Sequence, residues 1–352
     1  MKKLICLLLT IAMTCTLFAG CAVPVADTQS TAGAASEESA SEESAETVSE
    51  AGEKSSDSDL VPMKIAFCTW VGYAPLFIAK EQGYFEENGI DAEIVIIEDE
   101  STYGAAFVSN SIQALGQVLD RDIIQYNAGA PEQYVCTMDA STGGDGLVAT
   151  EDIKTMDDLA GRTVALDKSA TSYFFFLQAL MDSSITEDQI NIVEMGNDEA
   201  GEAFLAGNVD AAVTWEPALS SCSEREGGHK LVTSADYPKA IIDVLTVNSN
   251  FAQDHPDIYD KLSDCWYRSV DYLNDNYDDG CRIMAEGLGL ETDEVKEECA
   301  GITFYDKAMN ESFNDKNTEQ NVVEIADMAA DFWVEKGYMN SKDLTGFFPT
   351  IK

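Results

Sequence analysis

Histidine and positive charge are what this sequence most lacks. Only His229 and His255 occur, and 21 Lys and Arg stand against 64 Asp and Glu, for a formal net charge of −43. A chain so acidic repels nucleic acid and anionic lipid headgroups, so neither is expected as a partner. Two histidines and no CxxC pair leave a zinc centre without ligands at the right spacing. No GxSxG, HExxH or phosphate-loop pattern is present. Paired carboxylates can act as acid and base, but no spacing here selects that role. The chain is read as a non-enzyme without cofactor or metal. Nor is any apolar run long enough for a permanent membrane span.

What is present begins with an export signal. Lys2 and Lys3 precede the apolar run Leu4–Leu17, and Phe18-Ala19-Gly20 forms a small-residue cleavage region. It runs into Cys21, and the string resembles a bacterial lipobox, with Phe18 in place of the commoner leucine. Residues 1–20 are thus expected to leave and Cys21 to carry lipid. Residues 21–60 are Ser, Ala, Glu and Thr with almost no large apolar side chains. Such a stretch buries too little surface to offset chain entropy and reads as a disordered acidic tether. A flexible tether of about 40 residues spans roughly 35 Å. Six cysteines remain: Cys68, Cys136, Cys222, Cys265, Cys281 and Cys299. An even number in an exported protein permits disulfides, although Cys68 and Cys136 lie in apolar strand runs, where a free thiol packs as a small hydrophobe.

The folded part alternates strand and helix. Lys64–Cys68 reads as a buried strand, Leu76–Ala79 as a helix with Pro75 at its first position, and Ala92–Ile97 as the next strand. Strands follow at Ile112–Gly116 and Glu132–Asp139. At Ser141–Gly146 two adjacent glycines allow the backbone to turn, and the alternation restarts. Thr163–Leu166, Ile190–Met195 and Asp210–Thr214 read as strands, and Thr171–Met181 as a helix. Ile241–Val247 is the natural return strand. Pro256–Tyr277, Thr292–Cys299 and Glu319–Lys336 read as helices packed on the first lobe. The fold class is α/β: two lobes, each a mostly parallel sheet flanked by helices, joined by a hinge of two crossings. The expected lobes are residues 62–142 with 246–352, and residues 143–245.

Ligands of open α/β sheets bind outside the carboxyl ends of the strands. Loops at such ends are expected at Trp70–Tyr73, Gln117–Arg121, Leu166–Ser172 and Trp215–Pro217, joined at the crossing by Asp139–Asp145. The candidate ligand-binding residues are Trp70, Tyr73, Gln117, Asp120, Asp139, Asp145, Ser169, Thr171, Tyr173, Trp215 and Glu216. Aromatic faces with hydroxyls and carboxylates suit a small polar molecule. Two readings of its charge stand open. Helix N-termini at Pro75, Thr171 and Pro217, with Arg121 and Lys168 nearby, favour an anion. Asp120, Asp139, Asp145 and Glu216 among Trp and Tyr rings form a box for an organic cation. Asp120 and Glu216 also suit helix caps.

Three strings carry a resemblance. They are WVGYAPLFIAKEQGYFEENGI; DDLAGRTVALDKSATSYFFFLQALMD followed by INIVEMGNDEAGEAFLAGNVDAAVTWEP; and ITFYDKAMNESF with the closing EKGYMN. They resemble the solute-binding proteins of nitrate/sulfonate/taurine-type bacterial ABC importers, relatives of the thiamine-pyrimidine-precursor binders. The resemblance implies a type II periplasmic-binding-protein fold that closes on a small nitrogen- or sulfur-containing organic solute. It implies delivery to an ABC permease and its ATPase, by a lipid-anchored monomer on the outer face of the cell membrane. Family position places Trp70, Tyr73, Gln117, Asp145, Ser169, Thr171 and Glu216 around the solute. Pyrimidine-synthase relatives share the fold but use a histidine as reactant, and none stands in the corresponding loops here. That enzyme type, and an acidic surface lipoprotein holding a protein partner, are the alternatives.

Overall fold

The computed structural model describes residues 60–168, 171–237 and 239–351. The expected signal, Cys21, the tether up to residue 59, and Ser169 lie outside the described residues. The chain begins with β1 (Val61–Phe67), α1 (Pro75–Glu81), α2 (Tyr84–Glu87), β2 (Ile90–Ile96), α3 (Tyr103–Val108), β3 (Ala114–Val118), α4 (Leu119–Asn127) and β4 (Glu132–Ser141). Then come β5 (Asp145–Thr150), β6 (Thr163–Leu166), α5 (Thr171–Met181), β7 (Asn191–Glu194), α6 (Asn197–Leu205), β8 (Ala211–Trp215), α7 (Ala218–Glu224) and β9 (Gly228–Thr233). The last part holds β10 (Ile242–Asn248), α8 (Ser249–Asp254), α9 (Ile258–Asp275), α10 (Tyr277–Leu288), α11 (Thr292–Cys299), β11 (Ile302–Phe304), α12 (Lys307–Phe313) and α13 (Val322–Glu335).

These strands form two sheets, ordered β11-β4-β10-β3-β1-β2 and β7-β6-β8-β5-β9. In the first, β1 to β4 share one direction, and β10 and β11 run against them. In the second, β5 alone is reversed. The reversals have a topological cause. The chain leaves β4 at the carboxyl edge of one sheet and enters β5 within four residues, through 142–144. It therefore enters the second sheet at that sheet's carboxyl edge and must run backwards. The return from β9 to β10 repeats the move. The two carboxyl edges consequently face one another.

Side-chain burial explains the packing. β1 has neighbours on both sides and buries Met63, Ile65, Ala66 and Phe67. That run suits a strand covered on both faces. α1 starts at Pro75, whose absent N–H costs nothing in the first turn. α9 is amphipathic and buries Ile258, Leu262, Trp266, Val270 and Leu273. α5 has almost no polar face; its Phe174, Phe175 and Phe176 are all buried. Its cover is α13, with the Phe174 and Phe332 rings 5.0 Å apart. α13 also packs on α4, so the last helix touches elements of both sheets.

Several expectations need correction. No loop exists at Gln117–Arg121: β3 continues to Val118 and α4 starts at Leu119. Asp139 lies inside β4, and Asp145 is the first residue of β5. His229 lies in β9, a strand that the sequence left unread. The helix expected from Glu319 begins at Val322, because Asn321 caps it by accepting the Val323 and Glu324 N–H groups. All six cysteines between 68 and 299 are free thiols.

Candidate functional site

Between the facing carboxyl edges lies a cleft of about 640 Å³. Of the expected residues, Trp70, Tyr73, Asp145, Thr171, Trp215 and Glu216 line it. Trp70 and Tyr73 come from the turn after β1, Trp215 and Glu216 from the end of β8, and Thr171 from the start of α5. Their positions follow from the chain's own punctuation. The turn after β1 must be tight, and Gly72 permits it. A Cβ there would meet both Asp139 Oδ2 and Trp70 Nε1 at 2.3 Å. Gly144, at the first crossing, lies against the Trp70 ring in the same way, with 2.9 Å to Cη2.

Among the described residues, Gln117, Asp120, Asp139 and Tyr173 do not line the cleft. Gln117 is buried in β3, donating to Asp122 (3.2 Å) and accepting from Gln125 (3.0 Å). Asp120 accepts from Thr171 Oγ1 (2.7 Å) and from the Trp333 indole N–H (3.1 Å). It joins α4, α5 and α13 rather than facing a solute. Tyr173 turns the other way: its hydroxyl donates to Glu187 (2.7 Å), and its ring packs by Trp333. Lys168 pairs with the same Glu187 (2.9 Å). Asp139 is fully buried behind the lining, opposite Asp243 in the β4–β10 ladder. Glu216 accepts from the Ser220 N–H (2.9 Å) and pairs with Lys230 (2.7 Å).

The sequence reading missed most of the acidity. Besides Asp145 and Glu216, the lining carries Glu98, Asp99, Glu100, Asp167, Asp198, Glu199, Asp243, Glu294 and Glu298, eleven carboxyl groups in all. Among the described residues the single cation in the lining is Arg121, which pairs with Glu100 at 3.4 Å. A signal was available for part of this set. Glu98–Glu100 follow β2 at a strand carboxyl end, where the same rule points. Glu294 and Glu298 are four apart on α11 and share a face.

The acids disturb one another. Burial, then the Asp243 and Glu216 charges, pushes Asp145 up to about 7 against the Ser141 hydroxyl that accommodates it. Burial pushes Asp243 up to about 6, although the Tyr73 hydroxyl donates to it at 2.5 Å. Glu298 is pushed up to about 7 by burial, then by Glu294 and Glu216. Burial and the Asp243 charge hold Asp139 well above the carboxylate range. Asp139 shares a hydrogen bond with Asp243 and takes another from the Trp70 indole N–H, whereas Glu298 Oε1 lacks a hydrogen-bond partner. Such a group is rare in native interiors and demands an explanation. Neither His229 nor His255 lines the cleft.

The sequence model described as "NMT1/THI5 like" matches residues 70–279, more than half of the chain. The chain belongs to the NMT1/THI5-like family. A Brucella abortus relative, named only as a binding protein, is 21% identical across 81% of this chain and 90% of its own. Among solved structures, the periplasmic aliphatic sulphonate binding protein SsuA from Escherichia coli is similar with a TM-score of 0.66. It is 18% identical, covering 80% of this chain and 94% of its own. The desulfurization enzyme DszB is similar with a TM-score of 0.57, at 15% identity over 82% and 96%. This family member therefore has the periplasmic-binding-protein fold, in which binders and at least one enzyme occur.

Proposed function

We propose that this protein is the extracytoplasmic solute-binding lipoprotein of an ABC importer. It captures a small polar nitrogen- or sulfur-containing organic solute between its lobes and passes it to a permease and its ATPase. The observation that carries the reading is the cleft itself. An opening of about 640 Å³, lined among the described residues by Trp70, Trp215 and eleven carboxyl side chains, lies where two short crossings join two sheets. Such a volume suits a small solute. We place the hinge in the two connections between the sheets; the lobes are then 62–141 plus 242–351 and 145–233, the expected boundary after 245 moving to 242 because β10 pairs with β3 and β4. Ser234 Oγ accepts from the Gly143 N–H (2.8 Å) and meets Ser141 Oγ (2.8 Å), so the crossings are tied together. A solute drives closure to the extent that it binds the closed state better. The lipobox at Cys21 and the acidic stretch after it support anchoring with reach.

The experiment is a thermal-shift screen of the purified protein against sulfonates, amines, guanidinium compounds and aminopyrimidines. A solute that raises the melting temperature and compacts the protein in X-ray scattering is expected. If no small solute does either, the reading falls.

The likeness to DszB keeps an enzyme as the second reading. Cys68 is the one thiol in the lining among the described residues. Burial, then the Glu100 charge, pushes its thiol up, opposite to what a thiolate nucleophile requires. Failure of iodoacetamide to label Cys68 at pH 7.5 supports the binding role; fast labelling favours the enzyme.

A further inference from the structure

Three carboxylates of the inner cleft stand apart from the rest. Asp145, Asp243 and Glu298 line the cavity, yet retain only 9%, 1% and 6% of their exposure. Surface acids that merely solvate a protein do not look like this. An acid buried to that degree is costly unless an opposite charge or donors answer it. The protein answers incompletely. Tyr73 donates to Asp243, which also shares a hydrogen bond with Asp139, and the Ser141 hydroxyl serves Asp145, but Glu298 Oε1 has no partner. Among the described residues the lining offers one cation, Arg121, already held by Glu100.

We propose that the solute is a small organic cation bearing N–H donors, an ammonium or amidinium group on an organic body, with its charged end held by Asp145, Asp243 and Glu298. This rests on the solute-binding role proposed above and specifies the ligand of that same cleft. Two features narrow the class. The unmatched Glu298 Oε1 needs a hydrogen-bond donor, which a quaternary ammonium lacks. The faces of Trp70 and Trp215 suit an organic cation. An anionic solute has the opposite problem. It would enter among eleven carboxyl groups, with Arg121 as the one positive charge in the lining among the described residues. The likeness to a sulphonate binder therefore carries the fold and not the ligand's charge.

The test is calorimetric titration of the purified protein with agmatine and 1,4-diaminobutane, beside choline and ethanesulfonate. Agmatine or the diamine should bind, more weakly at higher salt, with choline at least tenfold weaker and ethanesulfonate silent. Glu298→Gln and Asp145→Asn should each lower cation affinity tenfold or more, with thermal melting checked to show that the fold persists. Binding of ethanesulfonate, strengthened by either substitution, overturns the cationic ligand while leaving the solute-binding role intact. Choline binding as tightly as agmatine overturns the N–H requirement. If neither amine binds while a solute of the broader screen does, the cation class is wrong. Silence from every solute sinks the binding role itself.

Discussion

Two pairs of buried acids lie on the first sheet and its helices, and they differ in one respect. Asp139 and Asp243 face each other on β4 and β10; Asp122, on α4, feels the charge of Glu132 at the start of β4. Burial raises all four, and all four are almost fully enclosed. Asp243, however, opens onto the cleft, whereas neither Asp122 nor Glu132 touches it. The sealed pair has one donor, Gln117 Nε2, and both Glu132 oxygens remain unmatched. Burial and a raised pKa therefore do not by themselves mark a binding site. Access to a cavity separates an acid that can meet a solute from one that only burdens the fold.

The largest effect should come from filling the floor beneath the open pair. Gly72→Val would drive its side chain into Asp139 and Trp70. Overpacking of this kind costs about 1–3 kcal/mol. Urea unfolding should show that loss, and solute-induced thermal shifts should vanish. A variant that still binds normally would mean the floor plays no part.

The sealed pair should respond in the other direction. In the folded chain, burial keeps protons on Asp122 and Glu132 at pH values where the unfolded chain has released them. The folded state then binds more protons, and stability falls as pH rises above about 4, through the raised values. Glu132→Gln removes one such group and supplies an amide donor. Urea unfolding at pH 8 should show a gain of about 1–2 kcal/mol, with little gain at pH 4. A loss at pH 8 would show that the pair is better satisfied than its geometry indicates.

Affinity at the open pair should titrate as well. A cation needs the carboxylates ionised, and Asp243, Asp145 and Glu298 lie at about 6, 7 and 7. Cation affinity should therefore rise from pH 5.5 to 8, by about tenfold or 1.4 kcal/mol for each proton displaced. An anionic solute would give the opposite slope. The smallest expected effect completes the contrast. Glu132→Gln should leave solute affinity within about twofold, roughly 0.4 kcal/mol, since Glu132 lies outside the cleft. A larger change would couple the two pairs.

How far the sequence could be read follows the same division between local and distant causes. The first strand–turn–helix was legible because its signals are neighbours: an apolar run, Gly72, then Pro75. So was the placement of Trp70 and Trp215 at strand ends. The direct passage from β3 into α4 was not, since Gln117 and Asp120 have the polarity of a loop. Only the packing shows that they serve Asp122, Thr171 and Trp333. β9, GHKLVT, is polar and lies at a sheet edge, so its pattern is weak. The acidity of the cleft was hidden for a different reason. Its carboxylates come from the turn after β2, from α6 and from α11, and no window of sequence contains them together.

The hydroxyl of Ser234 has a mechanical consequence. It joins the outgoing connection to the returning one through Ser141 and Gly143. Under the hinge proposed above, the two connections would then bend together. Spin labels on opposite halves of the wild type should report one common swing on solute addition, and Ser234→Ala should broaden it.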